Sequence, residues 1–173
     1  MARLEAIRMF LAFASYKKFK VYQMDVKPSF LNGNLEEEVY IEKLEGFQLS
    51  DKRDSVCKLK KELYELKQAP RAWYARLDSY LQTQGFKRGS SDGNLYCKIV
   101  DDILIIVDVY VNDIILGIDD EKMSEDFAKR MQQEFEMSLL GEMNFILGLQ
   151  IVQRKKGSFI HQSKYIKDML KRF

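Results

Sequence analysis

The chain has 173 residues, 46% of them hydrophobic, which is enough to bury one core but not two, so we expect a single domain over residues 1–173. Its 28 Lys and Arg residues nearly balance 26 Asp and Glu residues, so charge alone does not indicate a nucleic-acid or membrane-surface protein. Two cysteines without CxxC spacing and one histidine exclude a Cys/His zinc site. The sequence has no long uncharged apolar run and no signal peptide, which predicts an intracellular protein, cytoplasmic or nuclear, without a membrane partner.

The first half of the chain is predicted to contain two helices and a strand. Apolar residues recur at helical spacing over 4–16, which indicates an amphipathic helix. Over 19–26 the pattern alternates as in a strand, so Asp25 lies near the C-terminal end of that strand. A second helix is expected over 70–85, where Pro and Gly stand at its two ends, and its Trp73 belongs to the predicted core.

Cations and aromatic side chains are interleaved in the segment 52–76. A row of cations can neutralise phosphates while aromatic faces stack with bases, so the mixture suits a nucleic-acid track. An ordinary exposed helix with a core Trp explains the same composition, and composition alone favours that explanation. The cations are Lys52, Arg53, Lys58, Lys60, Lys61, Lys67, Arg71 and Arg76, and the aromatic residues are Tyr64, Trp73 and Tyr74.

The second half is rich in strands. Alternation, turn residues and helical spacing together predict an α+β fold, an antiparallel sheet with helices on one face in βαββαβ order. Along the middle strand Asp108 shares a face with apolar neighbours, so we expect its carboxyl group to lie among apolar side chains. The predicted strands are 95–100, 103–110, 114–118, 145–152 and 158–161, with a turn at Asp101-Asp102, a helix over 123–135 and a last helix from Ser163.

Asn112 and Asp113 interrupt an Ile- and Val-rich segment, which predicts a tight hairpin with this pair at its tip. Asn and Asp tolerate the backbone of such turns, so conformation alone explains their presence, and on this segment by itself that explanation is favoured. Asp25, at the end of another strand, is the reason to consider a functional role for the pair as well. Two strand ends that carry acids can meet in one sheet and hold a divalent metal.

Five segments resemble the palm of the reverse transcriptases of copia-type retrotransposons. Each match is weak alone, but they occur in the family's order and span almost the whole chain, so together they are highly specific. The segments are Ala2-Arg3-Leu4-Glu5-Ala6-Ile7-Arg8, Met24-Asp25-Val26-Lys27 with Phe30-Leu31-Asn32-Gly33, Leu66-Lys67-Gln68-Ala69-Pro70-Arg71-Ala72-Trp73-Tyr74, Tyr110-Val111-Asn112-Asp113 and Leu147-Gly148-Leu149-Gln150-Ile151.

The resemblance implies a palm-like fold and RNA- or DNA-templated DNA synthesis by a two-metal mechanism, with Mg²⁺ or Mn²⁺ as cofactor. It implies that Asp25 and Asp113 are metal ligands and that Asn112 stands at the third catalytic position. A primer-template of RNA or DNA and deoxynucleotides are the implied partners.

The resemblance also implies a set of nucleotide-binding residues. Phe30 would stand where the family places the side chain that excludes the ribose 2′-hydroxyl, although a core phenylalanine remains a fair alternative. Lys67, Gln68 and Arg71 would face the template and the incoming nucleotide, which reverses the preference for an ordinary helix in the basic segment.

Several departures from the family pattern predict a defective enzyme. Asn112 replaces a carboxylate that would hold metal directly, so metal binding should be weakened. Glu65 replaces a glycine at which backbone approaches substrate, and Asp108 replaces an apolar residue. The chain is also expected to be truncated, without complete fingers and thumb and without RNase H. Three interpretations stay open: an inactive relic, a residual polymerase and a noncatalytic nucleic-acid-binding module.

Overall fold

The structure, a computed structural model, describes residues 4–33, 37–43, 56–64 and 66–172. Helices and antiparallel sheets are mixed in it, in agreement with the predicted α+β class. The helices are α1 (Leu4–Lys17), α2 (Ala69–Thr83), α3 (Glu121–Glu134) and α4 (Ser163–Leu170). The strands are β1 (Lys20–Val26), β2 (Tyr40–Ile41), β3 (Cys57–Lys58), β4 (Lys87–Arg88), β5 (Leu95–Val100), β6 (Ile103–Tyr110), β7 (Asp113–Ile118), β8 (Met137–Glu142), β9 (Phe145–Ile146), β10 (Leu149–Arg154) and β11 (Gly157–His161).

The chain divides into two compact units. Met1–Lys27 and Leu81–Phe173 form the first unit, and Pro28–Tyr80 forms the second. The first contains α1, α3, α4, β1 and β4 to β11, and the second contains β2, β3 and most of α2. The single domain predicted over residues 1–173 stays a prediction. Among the described residues no helix is long and apolar enough to cross a membrane.

A six-stranded antiparallel sheet is the centre of the first unit. Its strand order is β4-β5-β6-β7-β1-β8, so the first strand in the chain lies between β7 and β8. Consecutive strands β5, β6 and β7 are joined by short turns, and the turn at Asp101-Asp102 confirms the predicted hairpin there, with both residues at positive φ. The position of β1 places its C-terminal end beside the start of β7.

The prediction that the helices lie on one face of the sheet is wrong. A Cβ at Gly117 would come within 2.9 Å of the Phe10 ring, so α1 packs directly on that face of β7. Ile114, Leu116 and Ile118 project to the opposite face by strand alternation and are fully buried, next to α3. A strand that is apolar on both sides requires cover on both sides, so helices lie on both faces.

The strands after α3 also differ from the prediction in two respects. β8 was not predicted, because this strand is half-exposed and lacks a clean alternation of apolar and polar residues. The strand predicted over 145–152 is two strands, β9 and β10, since Leu147 and Gly148 both have positive φ and form the turn between them.

Gln153 joins the three-stranded sheet of β9, β10 and β11 to β1. Its Oε1 accepts the Val21 N–H (2.8 Å) and its Nε2 donates to the Val21 carbonyl (2.7 Å).

In the second unit, β2 and β3 pair, and the first turns of α2 pack against Gly33, the residue after the 3₁₀ turn Ser29–Asn32. Gly33 is required there, because a Cβ would lie 2.9 Å from the Ala72 Cβ and 3.2 Å from the Trp73 backbone nitrogen. Trp73 is 0% exposed, which confirms its predicted place in the core.

Asp108 is a carboxylic acid inside the core of the first unit. It is 1% exposed, its neighbours across the sheet are Leu95 and Ile115, and no described residue gives either carboxylate oxygen a hydrogen bond of ordinary geometry. Burial, with the negative charge of Asp92 nearby, raises the pKa of Asp108 to about 6. The acid therefore destabilises the folded state whenever it must ionise.

We expect Asp108→Asn to remove a pH dependence of stability. Between the ordinary pKa of 3.8 and about 6, the folded protein binds a proton that the unfolded chain does not, so the free energy of unfolding falls as pH rises through that window. The full loss above pH 6 is about 3 kcal/mol. Urea unfolding at pH 4 to 7 measures it, with Asp102→Asn on the exposed β5–β6 turn as control. Parallel pH profiles for wild type and Asp108→Asn would contradict this.

Candidate active site

Asp25 and Asp113 lie directly opposite each other in the sheet. Asp25 is the penultimate residue of β1 and Asp113 is the first residue of β7, and the register of the two strands pairs them. This confirms the predicted meeting of two acidic strand ends. Both side chains are half-buried, so solvent and ions reach them from the end of the sheet.

The turn between β6 and β7 differs by one residue from the prediction. Val111 and Asn112 form it, whereas Asp113 already belongs to β7 and pairs with Tyr110. Val111 has φ 55°, a conformation that costs a β-branched residue about 1–3 kcal/mol, and a positive φ at the first central residue alone is typical of a type II′ turn. The Asn112 carbonyl accepts the Val26 N–H (2.9 Å), which holds the turn against β1.

Each of the two carboxylates is bound by a carboxamide. Asn112 Nδ2 donates to Asp25 Oδ1 (2.5 Å), and Gln23 Nε2 donates to Asp113 Oδ1 (2.8 Å). The four side chains therefore form two amide–carboxylate pairs side by side at the end of β1 and β7. All three predicted catalytic positions, residues 25, 112 and 113, are brought together here.

The electrostatics of this cluster favour a bound cation. Burial raises the pKa of Asp113 above its ordinary value, the negative charge of Asp25 raises it further, and the hydrogen bond from Gln23 opposes the rise. Two neighbouring carboxylates repel each other when both are ionised, and a cation between them removes that repulsion. The arrangement can therefore attract a positive ion to the strand ends.

The donor set does not fit two divalent ions. Within the described ranges, no group of three or more His, Cys, Asp and Glu side chains is arranged to hold a metal. Asn112 directs its amide nitrogen, which cannot coordinate, at the carboxylate of Asp25. Two carboxylates alone neutralise half of the charge of two Mg²⁺ ions, so the residues present suit one weakly held ion and not a pair.

The predicted nucleotide-binding residues all belong to the second unit. Phe30 is 7% exposed and contacts the Tyr64 ring edge-on at 4.6 Å between centroids, which agrees with its interpretation as a core residue. Lys67 and Arg71 are exposed, whereas Gln68 is half-buried.

A cavity of about 520 Å³ lies beside the start of α2, and Gln68 and Arg71 line it together with Glu37, Glu62 and Arg76. Burial, with the charge of Glu37 nearby, raises the pKa of Glu62. Glu65, the predicted departure on the substrate side, lies outside the described residues.

Gln23 is a site residue that the sequence analysis did not single out. A usable signal was present, because strand alternation places residues 21, 23 and 25 on one face. A glutamine two positions before Asp25 thus had to lie on the side of the acids. The pattern did not show which acid it would bind, since that depends on the register of β1 against β7.

The whole chain, residues 1–173, matches the model of the family described as reverse transcriptase (RNA-dependent DNA polymerase). The chain is 38% identical over 174 residues to the retrovirus-related Pol polyprotein from transposon TNT 1-94 of Nicotiana tabacum, a match that covers 99% of this chain and 13% of that protein. It is 35% identical over 167 residues to the corresponding polyprotein from transposon RE1 of Arabidopsis thaliana, covering 96% of this chain and 11% of that protein.

A third relative, the putative transposon Ty5-1 protein of Saccharomyces cerevisiae, is 31% identical over 134 residues, with 78% of this chain and 44% of that protein covered. The chain thus spans less than half the length of each of these relatives. The family match extends over the entire sequence, and the most similar of these three relatives are plant retrotransposon polyproteins. The chain therefore belongs to the reverse transcriptase (RNA-dependent DNA polymerase) family, and it corresponds to a segment of the Pol polyproteins of copia-type retrotransposons.

Proposed function

We propose that this chain is the palm region of a copia-type retrotransposon reverse transcriptase and that this copy has lost catalytic competence. The observation that carries the proposal is the pairing of Asp25 with Asp113, together with the hydrogen bond from Asn112 to Asp25. The first supports the palm assignment, because a palm requires two acids that meet at neighbouring strand ends. The second puts a neutral amide where a third acid is needed.

The strand order supports the palm assignment. β1, β6, β7 and β8 stand in the order β6-β7-β1-β8, with α2 between β1 and β6 in the chain and α3 between β7 and β8. This is the split βαββαβ arrangement, in which β7 inserts between β1 and β6. It brings the C-terminal end of β1 next to the β6–β7 turn.

Templated DNA synthesis requires divalent ions that carry charge at the reacting phosphate. Paired Mg²⁺ or Mn²⁺ ions, when bound, activate the primer hydroxyl and neutralise the triphosphate. Asp25 and Asp113 would hold such an ion in this chain, and a primer-template and deoxynucleotides would be the partners. On this proposal Lys67, Gln68 and Arg71 contact the nucleic acid or the nucleotide, and Phe30 borders the sugar.

Asn112 is the reason to propose inactivity. A carboxylate at this position would add one negative charge to the cluster, whereas the amide adds none and donates its hydrogen to a metal ligand. On the resemblance to the family, Glu65 stands where a glycine approaches the substrate, and its negative charge would repel phosphates there. Both changes weaken the ion and nucleotide interactions that the reaction requires.

The first expected result is that the wild-type chain does not extend a primer on an RNA or DNA template, with either Mg²⁺ or Mn²⁺. Loss of one preorganised group typically lowers the rate by about 10²–10³, and loss of a metal-binding carboxylate should cost at least as much. A gel assay with labelled primer measures extension, and Asp25→Ala is the matched background control. Extension by the wild type above that control would contradict the proposal.

A second expected result concerns Asn112→Asp. Without ions its thermal midpoint should fall below that of the wild type, because a hydrogen-bond donor to Asp25 becomes a third negative charge. Mg²⁺ should restore the midpoint, because ion binding adds about 2.7 kcal/mol to the free energy of unfolding when the free ion is a hundredfold above its Kd. Thermal unfolding with and without Mg²⁺ measures both effects.

Asn112→Ala is the control for this experiment, because it removes the hydrogen bond without adding a charge, and Mg²⁺ should raise its midpoint no more than it raises that of the wild type. Equal Mg²⁺ shifts in the wild type and in Asn112→Asp would mean that position 112 only shapes the turn. The active-site interpretation of the hairpin would then be withdrawn.

A second candidate function is that of a noncatalytic nucleic-acid-binding module. Exposed cations in the second unit favour it, and Tyr64, which is 60% exposed, offers an aromatic face among them. Trp73 is buried and does not contribute to stacking. The exposed cations in the described part of this segment are Lys58, Lys60, Lys61, Lys67, Arg71 and Arg76, whereas Lys52 and Arg53 lie outside the described residues.

For this candidate, single-strand binding should weaken steeply with salt. Each phosphate contact contributes about −0.7 to the slope of log K against log salt, so replacing Lys60, Lys61 and Lys67 together by Gln should make the slope shallower by about 2. Filter binding at several salt concentrations measures it. Lys155→Gln with Lys156→Gln, on the exposed β10–β11 turn, is the control. An unchanged slope in the triple variant would exclude this surface.

A further inference from the structure

Gln23 is a buried amide on the face of the sheet that carries Asp25 and Asp113. It is 8% exposed, and its neighbour directly across β7 is the apolar Ile115. A primary amide in such surroundings is unfavourable unless its polar atoms are bonded. Its Nε2 reaches diagonally across to Asp113 and donates to Oδ1 at 2.8 Å.

We propose that Gln23 is a positioning residue for Asp113, which fixes the direction in which this carboxylate is presented at the end of the sheet. The inference rests on the proposed function, since it treats Asp113 as the ligand of an ion. Gln23 itself is not a ligand in this proposal. It occupies one carboxylate oxygen and leaves the other available.

The geometry gives Asp113 a particular need for such a partner. It is the first residue of β7 and directly follows the turn in which Val111 has positive φ. Its direct neighbour across the sheet is Asp25, whose charge repels it. Without a donor on its other side, the Asp113 side chain would rotate away from Asp25, and the two acids would no longer converge.

Gln23 is better placed for this role than Asn112. Asn112 lies in the turn and is half-exposed, so water competes for its hydrogen bond. Gln23 belongs to β1, and its backbone is held on both sides, opposite Ile115 of β7 and Gly141 of β8. A donor anchored in a central strand holds its acceptor more rigidly than one in a turn. Hydrogen-bond partners of metal ligands typically contribute about 10–100-fold to ion affinity.

The first test needs no ion. In ¹H–¹⁵N spectra of the isotope-labelled wild-type chain, the Gln23 side-chain amide should exchange with water more slowly than the amides of exposed glutamines such as Gln132. In Asp113→Ala this protection should be lost while the backbone spectrum of β1 is retained. A Gln23 amide that is equally protected in Asp113→Ala would overturn the proposal.

The second test measures ion affinity in the Asn112→Asp background. Titration of Mn²⁺ followed by electron paramagnetic resonance should give an affinity about 10–100-fold weaker in Asn112→Asp with Gln23→Met than in Asn112→Asp alone. Asn112→Asp with Gln153→Met is the matched control, because Gln153 binds the backbone of Val21 and Met143 and contacts neither acid.

The outcomes separate the two proposals. Equal Mn²⁺ affinities with and without Gln23 would overturn the positioning role and leave the proposed function intact. If Asn112→Asp binds no Mn²⁺ at all, the proposed function fails, and the amide-exchange experiment alone decides whether Gln23 holds Asp113. Loss of affinity in the Gln153→Met control as well would show a general effect on the sheet and would also overturn the proposal.

Discussion

The antiparallel pairing of β1 with β7 is the constraint on which the rest of this structure depends. Because residues alternate across a strand, one register places Val21, Gln23 and Asp25 on the same face as Gly117, Ile115 and Asp113. A shift by one residue would turn every one of these side chains to the other face. The close packing of Phe10 on Gly117 disfavours that shift, since a Cβ at this position would lie 2.9 Å from the ring, which would then have to move. The packing of α1 at one end of the face thus favours the register in which the acids meet at the other end.

The same pairing concentrates negative charge where the sheet must remain stable without an ion. Two half-buried carboxylates face each other, and each receives a hydrogen bond from an amide. Amides supply directional donors without adding charge, so they lower the repulsion between the acids and do not neutralise it. The ion-free cluster is therefore a compromise between a stable strand end and a site that attracts cations. Asn112 moves this compromise toward stability.

The sequence carried the face of each strand but not the partners of each side chain. Alternation put Asp25 at a strand end, the predicted βαββαβ order brought that end to the β6–β7 hairpin, and the burial of Trp73 followed from helical spacing. The turn was displaced by one residue because Val111 adopts positive φ, which no propensity predicts for a β-branched side chain. The strand predicted over 145–152 is interrupted because Leu147, which is also not a glycine, adopts positive φ. Cover on both faces depended on long-range packing, which a local pattern does not contain.

Asn112 and Asp108 bear on the history of this copy because their effects on stability have opposite signs. Asn112 replaces repulsion beside Asp25 with a hydrogen bond, so it should stabilise the ion-free fold. Asp108 places an unpartnered acid among apolar residues, and it should destabilise the same fold at neutral pH. Selection for stability would favour the first change and reject the second, and selection for catalysis would reject the first. Relaxed selection on both activity and stability accounts for the two together, and the pair thus supports the proposal of a copy whose function is no longer maintained.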